Sequence, residues 1–549
     1  MPRSWLNLAI LLALLLLVAL PLLFIVLQAI FPLLSEGRWS GAFSALARLL
    51  NDSELVPMWT GTLKIGVGVA LCSLIPGLLL GSLRGLFRLP GAALWDLLLV
   101  VPFLTPPYIA ALSWTLALQR NGYVQQLTGI NFDGLLFSAS GMMLVMTLNI
   151  FPVIYFAVSR TLLSNGQRLA SVARVHGASP WRAWWHITLP LTLPALAGSL
   201  LLAFTMAIDE YGVPAALGTR AHLTLMTVGI EQKLGDWPID LPGAASLSLL
   251  LSMVALAAWL LQRRLSQQEV TTQNGKPSAY EGIQAGIWAC PMLLLFGLTV
   301  FLAVVLPLSS MTLSGLLNTL SGGLEWSNLS LRHFSALFSA QGEALSAFST
   351  SIGLALAAAL LTGLLGFLVA TRVSEGKSRG LAWLDGLALL PAAMPGVVIG
   401  VGLILVWNRG FWPVTPYNTL FILLISYCCL LLPWPVRYVS GALRQLSPAL
   451  ESAARVHGAS RWQALRWVVL PLVAPALIAA MMMVFAIASR ELVTSLLLAP
   501  AGSQTVALFI WRQFEQGSVG DGMAMATLTL VATLTLMALA QRLLHRQQH

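Results

Sequence analysis

Charged side chains are scarce in this sequence of 549 residues. Asp, Glu, Lys and Arg make up only 9% of it, whereas hydrophobic residues make up 58%. Soluble domains average about a quarter charged residues, so a water-soluble globule is excluded because its surface could not be covered. Apolar runs of twenty or so residues recur instead, and about 20 helical residues span the hydrocarbon core of a bilayer. The composition therefore predicts an all-α polytopic membrane protein.

Cysteine is also rare. The four residues, Cys72, Cys290, Cys428 and Cys429, all lie in apolar segments. None has the spacing of a metal ligand, and the adjacent pair does not suggest a disulfide framework. We therefore interpret all four as small buried hydrophobic residues.

Nucleotide-binding and catalytic signatures are missing. The sequence has no Gly-x-x-x-x-Gly-Lys-Ser/Thr loop, which would cradle phosphate groups. It also has no buried cluster of His, Asp and Glu that could perform chemistry, and this argues against a membrane-embedded enzyme. Any ATP hydrolysis linked to this chain is therefore expected in another protein.

Twelve apolar segments are present, six on each side of a polar stretch at 263–283. They predict two halves, 1–262 and 284–549, joined by a cytoplasmic linker. With the N-terminus inside, the inner segments hold 20 of the 30 Lys and Arg residues and 6 of the 20 Asp and Glu residues. Basic residues concentrate on the cytoplasmic side of membranes, so the net charge of +10 indicates orientation rather than nucleic-acid binding. Both termini are then cytoplasmic, and the halves are parallel repeats.

A basic, polar stretch interrupts the apolar sequence once in each half, in the predicted cytoplasmic loops 160–190 and 440–471. One copy reads Ala170-Ser-Val-Ala-Arg-Val-His-Gly-Ala-Ser-Pro-Trp, and the other reads Glu451-Ser-Ala-Ala-Arg-Val-His-Gly-Ala-Ser-Arg-Trp. Gly177 and Gly458, which align when one copy is laid on the other, are expected to end a helix. The following serine can cap a second short helix, which we expect to close at Pro190 or Pro471.

These loops resemble the EAA loop of binding-protein-dependent ABC importer permeases with the type I, MetI-like fold. In that family an alanine precedes a glycine by four positions, and a basic, hydrophobic run then leads to Leu-Pro. The resemblance covers essentially the whole chain and implies about 12 transmembrane helices in two fused halves. It points in particular to the ferric-iron permease group, whose relatives carry thiamine, aminoalkylphosphonates or polyamines.

The resemblance assigns coupling to an ATPase to the matching residues of both loops. They are Ser171, Ala173, Arg174, His176, Gly177, Ala178, Ser179, Trp181 and Pro190, together with Glu451, Ser452, Ala454, Arg455, His457, Gly458, Ala459, Ser460, Trp462 and Pro471. The family's leading Glu aligns with Ser171 and Ser452. Only the second loop has a carboxylate beside this position, Glu451, so the two loops are expected to bind their ATPases unequally. His176 and His457 are interpreted as docking or packing residues rather than metal ligands.

The resemblance also implies partners and a location. Two copies of an ABC ATPase would hold ATP and Mg, while a periplasmic or extracellular substrate-binding protein would deliver the cargo. The chain itself would bind no cofactor, lie among lipids of the bacterial inner membrane, and work by alternating access. Two alternatives remain: each loop as a plain amphipathic interfacial helix, and the whole chain as a secondary transporter with two six-helix halves.

Charged residues at the predicted outer ends of spans five and eleven are candidates for the translocation path. They are Asp209, Glu210, Arg490 and Glu491, with the uncharged Tyr211 beside them. Charge within a membrane indicates function by default, but water reaches these positions, so lining the path and docking the binding protein both stay open.

Spans three and nine contain aspartates and prolines that are expected to affect the helices. Asp96 and Asp385 are interpreted as charges near helix N-termini. Kinks of these two spans are expected at a set of prolines, namely Pro102, Pro106, Pro107, Pro391 and Pro395.

Overall fold

The fold described below is that of a computed structural model. The structure describes residues 3–163, 172–269, 283–339, 342–374, 379–410 and 412–546. Ser171 and residues 270–282, most of the predicted linker, lie outside these ranges. The sixth span continues as a helix from Leu241 to Glu269 and so includes the first residues of that linker.

Helices account for nearly all of the regular structure. Those of the first part of the chain are α1 (Arg3–Leu14), α2 (Leu20–Ile30), α3 (Ser44–Leu50), α4 (Leu55–Leu86), α5 (Ala92–Leu104), α6 (Pro107–Leu118), α7 (Tyr123–Thr128), α8 (Asp133–Leu136), α9 (Ala139–Ile150), α10 (Pro152–Thr161), α11 (Pro180–Ala183), α12 (Leu189–Asp209), α13 (Gly212–Leu217), α14 (Met226–Gly235) and α15 (Leu241–Glu269). Those of the second part are α16 (Ala289–Val300), α17 (Leu306–Leu316), α18 (Arg332–Leu337), α19 (Glu343–Ser374), α20 (Arg379–Leu389), α21 (Gly396–Trp407), α22 (Leu420–Leu431), α23 (Pro433–Gln445), α24 (Pro448–Val456), α25 (Arg461–Ala464), α26 (Leu470–Ala488), α27 (Val493–Leu498), α28 (Val506–Glu515) and α29 (Val519–Arg546). Two short strands, β1 (Phe87–Arg88) and β2 (Ile283–Gln284), pair in parallel.

The number of membrane spans agrees with the sequence. Among the described residues, ten helices are long and apolar enough to cross a bilayer, and up to twelve if two sharply bent helix pairs each count as one span. The pairs are Ala92–Leu104 with Pro107–Thr128 and Leu381–Ala393 with Gly396–Trp407, and they correspond to predicted spans three and nine. The predicted all-α polytopic fold is confirmed.

Both bent pairs break at a proline. The angles between their arms are 95° and 113°. Thr105 and Met394, which precede Pro106 and Pro395, have extended backbone with ψ of 124° and 131°. Proline disfavours helical backbone in the residue before it and lacks an N–H for the helix ladder. The expected kinks are therefore present, and they are breaks rather than gentle bends.

One buried side chain binds two carbonyl groups beside the first break, that of Thr105 and that of Pro102, which also accepts from the N–H of Thr105. Asn149, in α9, donates from Nδ2 to the carbonyl oxygen of Pro102 at 2.6 Å and to that of Thr105 at 3.1 Å. Backbone groups in a membrane need a partner within the protein, so Asn149 stabilises this break. The equivalent position in the second half is Leu430.

The chain forms two compact units whose boundaries do not follow the sequence halves. Unit I comprises Met1–Leu50, Ile230–Ser252 and Leu331–His549. Unit II comprises Asn51–Gly229 and Met253–Ser330. Each unit thus combines the first helix of one half with most of the other half.

In unit I, apolar packing and the partly buried cation of Arg409 hold the N-terminal helices. Val18 belongs to a core formed mainly by α19, α21 and α22. The Arg409 guanidinium, just beyond α21, donates to the carbonyl oxygen of Leu34 and to Oε1 of Gln28, both at 3.0 Å. Burial lowers the pKa of Arg409. These contacts join the first membrane helix to the end of the second broken span, Leu381–Ala393 with Gly396–Trp407.

Unit II depends on close packing of α4 against α10. A Cβ added at Gly77, Gly81 or Gly85 would lie within 2.5–2.9 Å of atoms of α10 or of Leu162 immediately after it. Small residues four apart allow helix backbones to approach closely in membranes. This glycine stripe therefore fixes α10, the helix that leads into the first basic loop.

Candidate coupling loops and translocation path

The first basic loop ends its leading helix with a glycine turn. Residues 172–175 are helical, and Gly177 has φ of 88°. Its N–H donates to the carbonyl oxygen of Arg174 at 3.0 Å, and that of Ala178 donates to Ala173 at 3.0 Å. These two bonds define a Schellman motif, in which the left-handed residue is usually Gly. Gly177 is therefore required by backbone conformation.

The second loop repeats this turn. α24 contains Glu451 and Ser452, and Gly458 follows it with φ of 88°. The N–H of Gly458 donates to Arg455 at 3.0 Å, and that of Ala459 donates to Ala454 at 3.1 Å. The expected helix and glycine break are thus present in both copies with the same hydrogen bonds.

The short helix after each turn is capped by serine, but the caps differ. Oγ of Ser179 accepts from the N–H of Arg182 at 3.3 Å, and Oγ of Ser460 accepts from that of Gln463 at 3.3 Å. In the second loop, Oε1 of Gln463 also accepts from the N–H of Ser460 at 2.8 Å. This reciprocal pair is a capping box. The first loop has Arg182 at that position and lacks the return bond.

The Leu-Pro pairs do not end these short helices, contrary to the sequence expectation. α11 continues through a π-helical turn, Trp184–Thr188, into α12, and α25 continues through Leu465–Val469 into α26. The N–H of Leu189 donates to the carbonyl oxygen of Trp184, five positions earlier. In a π turn each N–H bonds to the carbonyl five residues earlier in place of four. This shift of the helix hydrogen bonds occurs directly before Pro190 and Pro471, which have no N–H to donate. Each loop is therefore continuous with a membrane span.

Both loops present apolar side chains to solvent. The exposed fraction is 86% for Val175 and 83% for Val456, the equivalent residues before the two turns, and 62% for Trp462. His176 and His457 are exposed beside them. Exposed apolar side chains that cluster at one place indicate an interaction site. The loops are accessible to another protein in each unit.

The carboxylates of the candidate path residues cap short helices. Oε1 of Glu210 accepts from the N–H groups of Gly212 and Val213 at 2.8 and 3.3 Å, at the start of α13. Oε1 of Glu491 accepts from the N–H of Thr494 at 3.0 Å, at the start of α27. Sequence reasoning missed these caps, because neither helix shows an apolar period.

The other candidate residues for the translocation path are also buried or partly buried. Tyr211 is buried, and Asp209 and Arg490 are partly buried. Burial raises the pKa of Glu491, while its bonds from Thr494 and Val493 and the charge of Arg490 oppose that rise. These residues adjoin the short helices α13 and α27, which follow α12 and α26.

Asp96 has a specific partner that the sequence did not reveal. It lies in the second turn of α5, and its carboxylate forms an ion pair with Arg84, with Nη2 to Oδ2 at 2.9 Å. The hydroxyl of Tyr155 donates to its Oδ1 at 2.5 Å. The interpretation as a charge near a helix N-terminus therefore misses its main interactions, which are made through space with α4 and α10.

Metal ligands and thiols offer no further site in the described part of the chain. No group of three or more His, Cys, Asp and Glu side chains there could hold a metal ion. Cys428 and Cys429 are buried as expected, whereas Cys72 and Cys290 are exposed. The expectation of four buried thiols was wrong for the latter two, which lie on outward faces of long apolar helices.

Comparisons with known proteins show the family to which the chain belongs. Residues 1–268 and 362–548 match the family described as "Binding-protein-dependent transport system inner membrane component". The ferric transport system permease protein FbpB of Actinobacillus pleuropneumoniae is 25% identical over 513 residues, which cover 89% of this chain and 72% of that protein. The Fe(3+)-transport system permease protein FbpB 2 of Haemophilus influenzae is 25% identical over 514 residues, or 93% and 92% of the two chains.

A solved structure was also matched. It is a bacterial ABC transporter involved in the import of the acidic polysaccharide alginate, with 19% identity and a TM-score of 0.40, covering 47% of this chain and 96% of that one. The family match spans more than half of the present sequence and includes both basic loops. The chain therefore belongs to the family of inner-membrane components of binding-protein-dependent transport systems, with both permease halves fused in one polypeptide.

Proposed function

We propose that this chain forms the whole translocation path of a bacterial ABC importer and converts ATP hydrolysis by two partner subunits into alternating access. One observation carries the proposal: two loops, one in each half, have the same Schellman turn at Gly177 and Gly458 and expose valine beside it. A rigid turn that exposes an apolar side chain can bind in a cleft on another protein. The continuous helices α11–α12 and α25–α26 would carry a displacement of each loop into a membrane span.

The proposed cycle needs two ATPase copies, one on each loop, which bind ATP with Mg. Their closure would move both loops and open the cavity outward to receive cargo from a substrate-binding protein. Hydrolysis would then return the chain to its inward-open state. The charge distribution supports loops and termini on the cytoplasmic side of the inner membrane.

Ferric iron is the proposed cargo. The support is the similarity along most of the chain to two permeases named for ferric transport. Thiamine, aminoalkylphosphonates and polyamines remain the other candidates. The carboxylates of Glu210 and Glu491 cap helices within the chain, so we assign cargo selection to the substrate-binding protein.

Purification from the native membrane tests the proposal. An ATPase should co-purify with the chain, and Gly177→Arg or Gly458→Arg, which place a bulky charged side chain at the turn, should abolish uptake of labelled ferric iron while the amount of chain in the membrane is unchanged. Uptake that is unimpaired in both variants, or that follows an ion gradient with no ATPase present, would reject it in favour of a secondary transporter. Uptake of another cargo would correct the substrate only.

A further inference from the structure

Unit II contains a polar contact between the helix that enters the first basic loop and one arm of a broken span. The hydroxyl of Tyr155, in α10, donates to Oδ1 of Asp96, in α5, at 2.5 Å. Tyr155 has no exposed surface. A hydrogen bond to a charged acceptor is stronger than one between neutral groups, and its removal from a buried place leaves the acceptor less well satisfied.

Neighbouring groups hold both partners in place. Arg84, at the end of α4, binds Asp96 through Nε and Nη2 at 2.9–3.2 Å. The ring of Phe296, from α16, lies edge-on to Tyr155 with centroids 6.3 Å apart, and its centroid is 5.7 Å from that of Trp95. The carboxylate is thus fixed from one side by the cation, and the phenol by the aromatic rings.

Because of the position of α10, this contact connects the first basic loop to the broken span. α10 ends at Thr161, in the first residues of the first basic loop, and the glycine stripe of α4 packs against it. α5 is the first arm of the pair that bends by 95° at Pro106. A displacement of α10 therefore reaches α5 most directly through Tyr155 and Asp96.

We propose that Tyr155 is a positioning residue that makes α10 and α5 move as one body, so that motion of the first basic loop is passed to the broken span. This inference rests on the proposed function of the loops. The second half has Val436 at the position equivalent to Tyr155. A valine side chain cannot donate a hydrogen bond, so position 436 cannot form the bond that Tyr155 forms.

Two variants test the link in the complete transporter. Tyr155→Phe removes the donor, and Asp96→Leu removes the acceptor. With the ATPase subunits bound in liposomes, both variants should hydrolyse ATP nearly as the parent does, yet move at least about fivefold less ferric iron per ATP, the lower range of typical coupling effects. A purely structural role would lower hydrolysis and transport together and leave their ratio unchanged.

A distance measurement tests the same link without any cargo. Spin labels at Leu163, after α10, and Leu97, on α5, are placed on exposed side chains. In the parent complex the distance between them should be the same with and without ATP, because both helices move together. In Tyr155→Phe it should change on ATP binding. An unchanged distance in this variant, or an unchanged ratio of transport to hydrolysis in either variant, overturns the proposal.

The control is Tyr123→Phe. Tyr123 is also buried in unit II, and its hydroxyl shares a hydrogen bond of 2.6 Å with Oγ of Ser314. This substitution removes one buried tyrosine hydroxyl without touching α10 or α5, so coupling should stay at the parental value. If the parent chain binds no ATPase at all, the proposed function fails. If the parent couples and Tyr155→Phe couples equally well, only this inference fails.

Discussion

Gly177 and Gly458, at equivalent positions of the two halves, share a φ of 88° and the same pair of backbone hydrogen bonds. Apart from the glycine itself and its two chain neighbours, no heavy atom of the described residues lies within 4 Å of a Cβ built at either position. The two loops therefore need glycine because of backbone conformation, and space around the turn is not what restricts them within this chain. The repeat thus extends from the sequence of the two loops to their geometry.

Substitution of these glycines should show whether the turn requires glycine for its backbone conformation or for its small size. Gly177→Val places a β-branched residue in the left-handed region, at a cost of about 1–2 kcal/mol, and should open the turn. Gly177→Asn is the matched control, because Asn tolerates this conformation. Hydrogen exchange of the Ala178 N–H, which closes the turn, should rise in the first variant and stay near the parental rate in the second. Equal rates in both would contradict a conformational requirement.

The two loops should differ in their response to loss of a cap. Gln463→Ala breaks the capping box of the second loop and should destabilise α25 locally by about 1 kcal/mol. Arg182→Ala, at the equivalent position, removes no such bond. Hydrogen exchange at the N–H of Ser460 and Ser179 measures the difference. The interpretation would be wrong if both substitutions increased exchange to the same extent.

The break at Pro106 should depend on Asn149. Asn149→Leu installs the residue that the second half has at this position. It removes the side-chain donor from the carbonyl group of Thr105 and leaves that of Pro102 with only the N–H of Thr105. Thermal unfolding in detergent should show a loss of about 1–3 kcal/mol for unsatisfied buried groups. Thr147→Val, in the same helix, is the control, since its buried hydroxyl has no hydrogen-bond partner among the described residues. A loss as large in the control would refute this assignment.

A side chain at Gly81 should lower the stability of the protein, because it would disrupt the packing of α4 against α10. A Cβ there would lie 2.9 Å from the carbonyl oxygen of Tyr155, and forcing atoms into a packed interface costs about 1–3 kcal/mol. Gly353→Ala, in the long helix α19, has open space around it and should be neutral or stabilising by helix propensity. The stability of purified Gly81→Ala and Gly353→Ala should therefore change in opposite directions, or in the first variant only.

Local features were predicted well from the sequence. The breaks at Pro106 and Pro395 and the turns at Gly177 and Gly458 follow from restrictions on one or two residues, so their neighbours along the chain are sufficient to predict them. The continuation of the short loop helices through Pro190 and Pro471 was missed. A π turn depends on how a whole stretch of helix re-registers, and the Leu-Pro pair alone does not reveal it.

The sequence by itself determined the membrane class, the duplication and the glycine turns, because composition, length of apolar runs and backbone sterics act locally. Only the tertiary structure decided that Asp96 is held by Arg84 and Tyr155, that Asn149 satisfies the break, and that each unit takes its first helix from the other half. Those outcomes depend on which surfaces meet, since packing and hydrogen bonding join residues far apart in the chain.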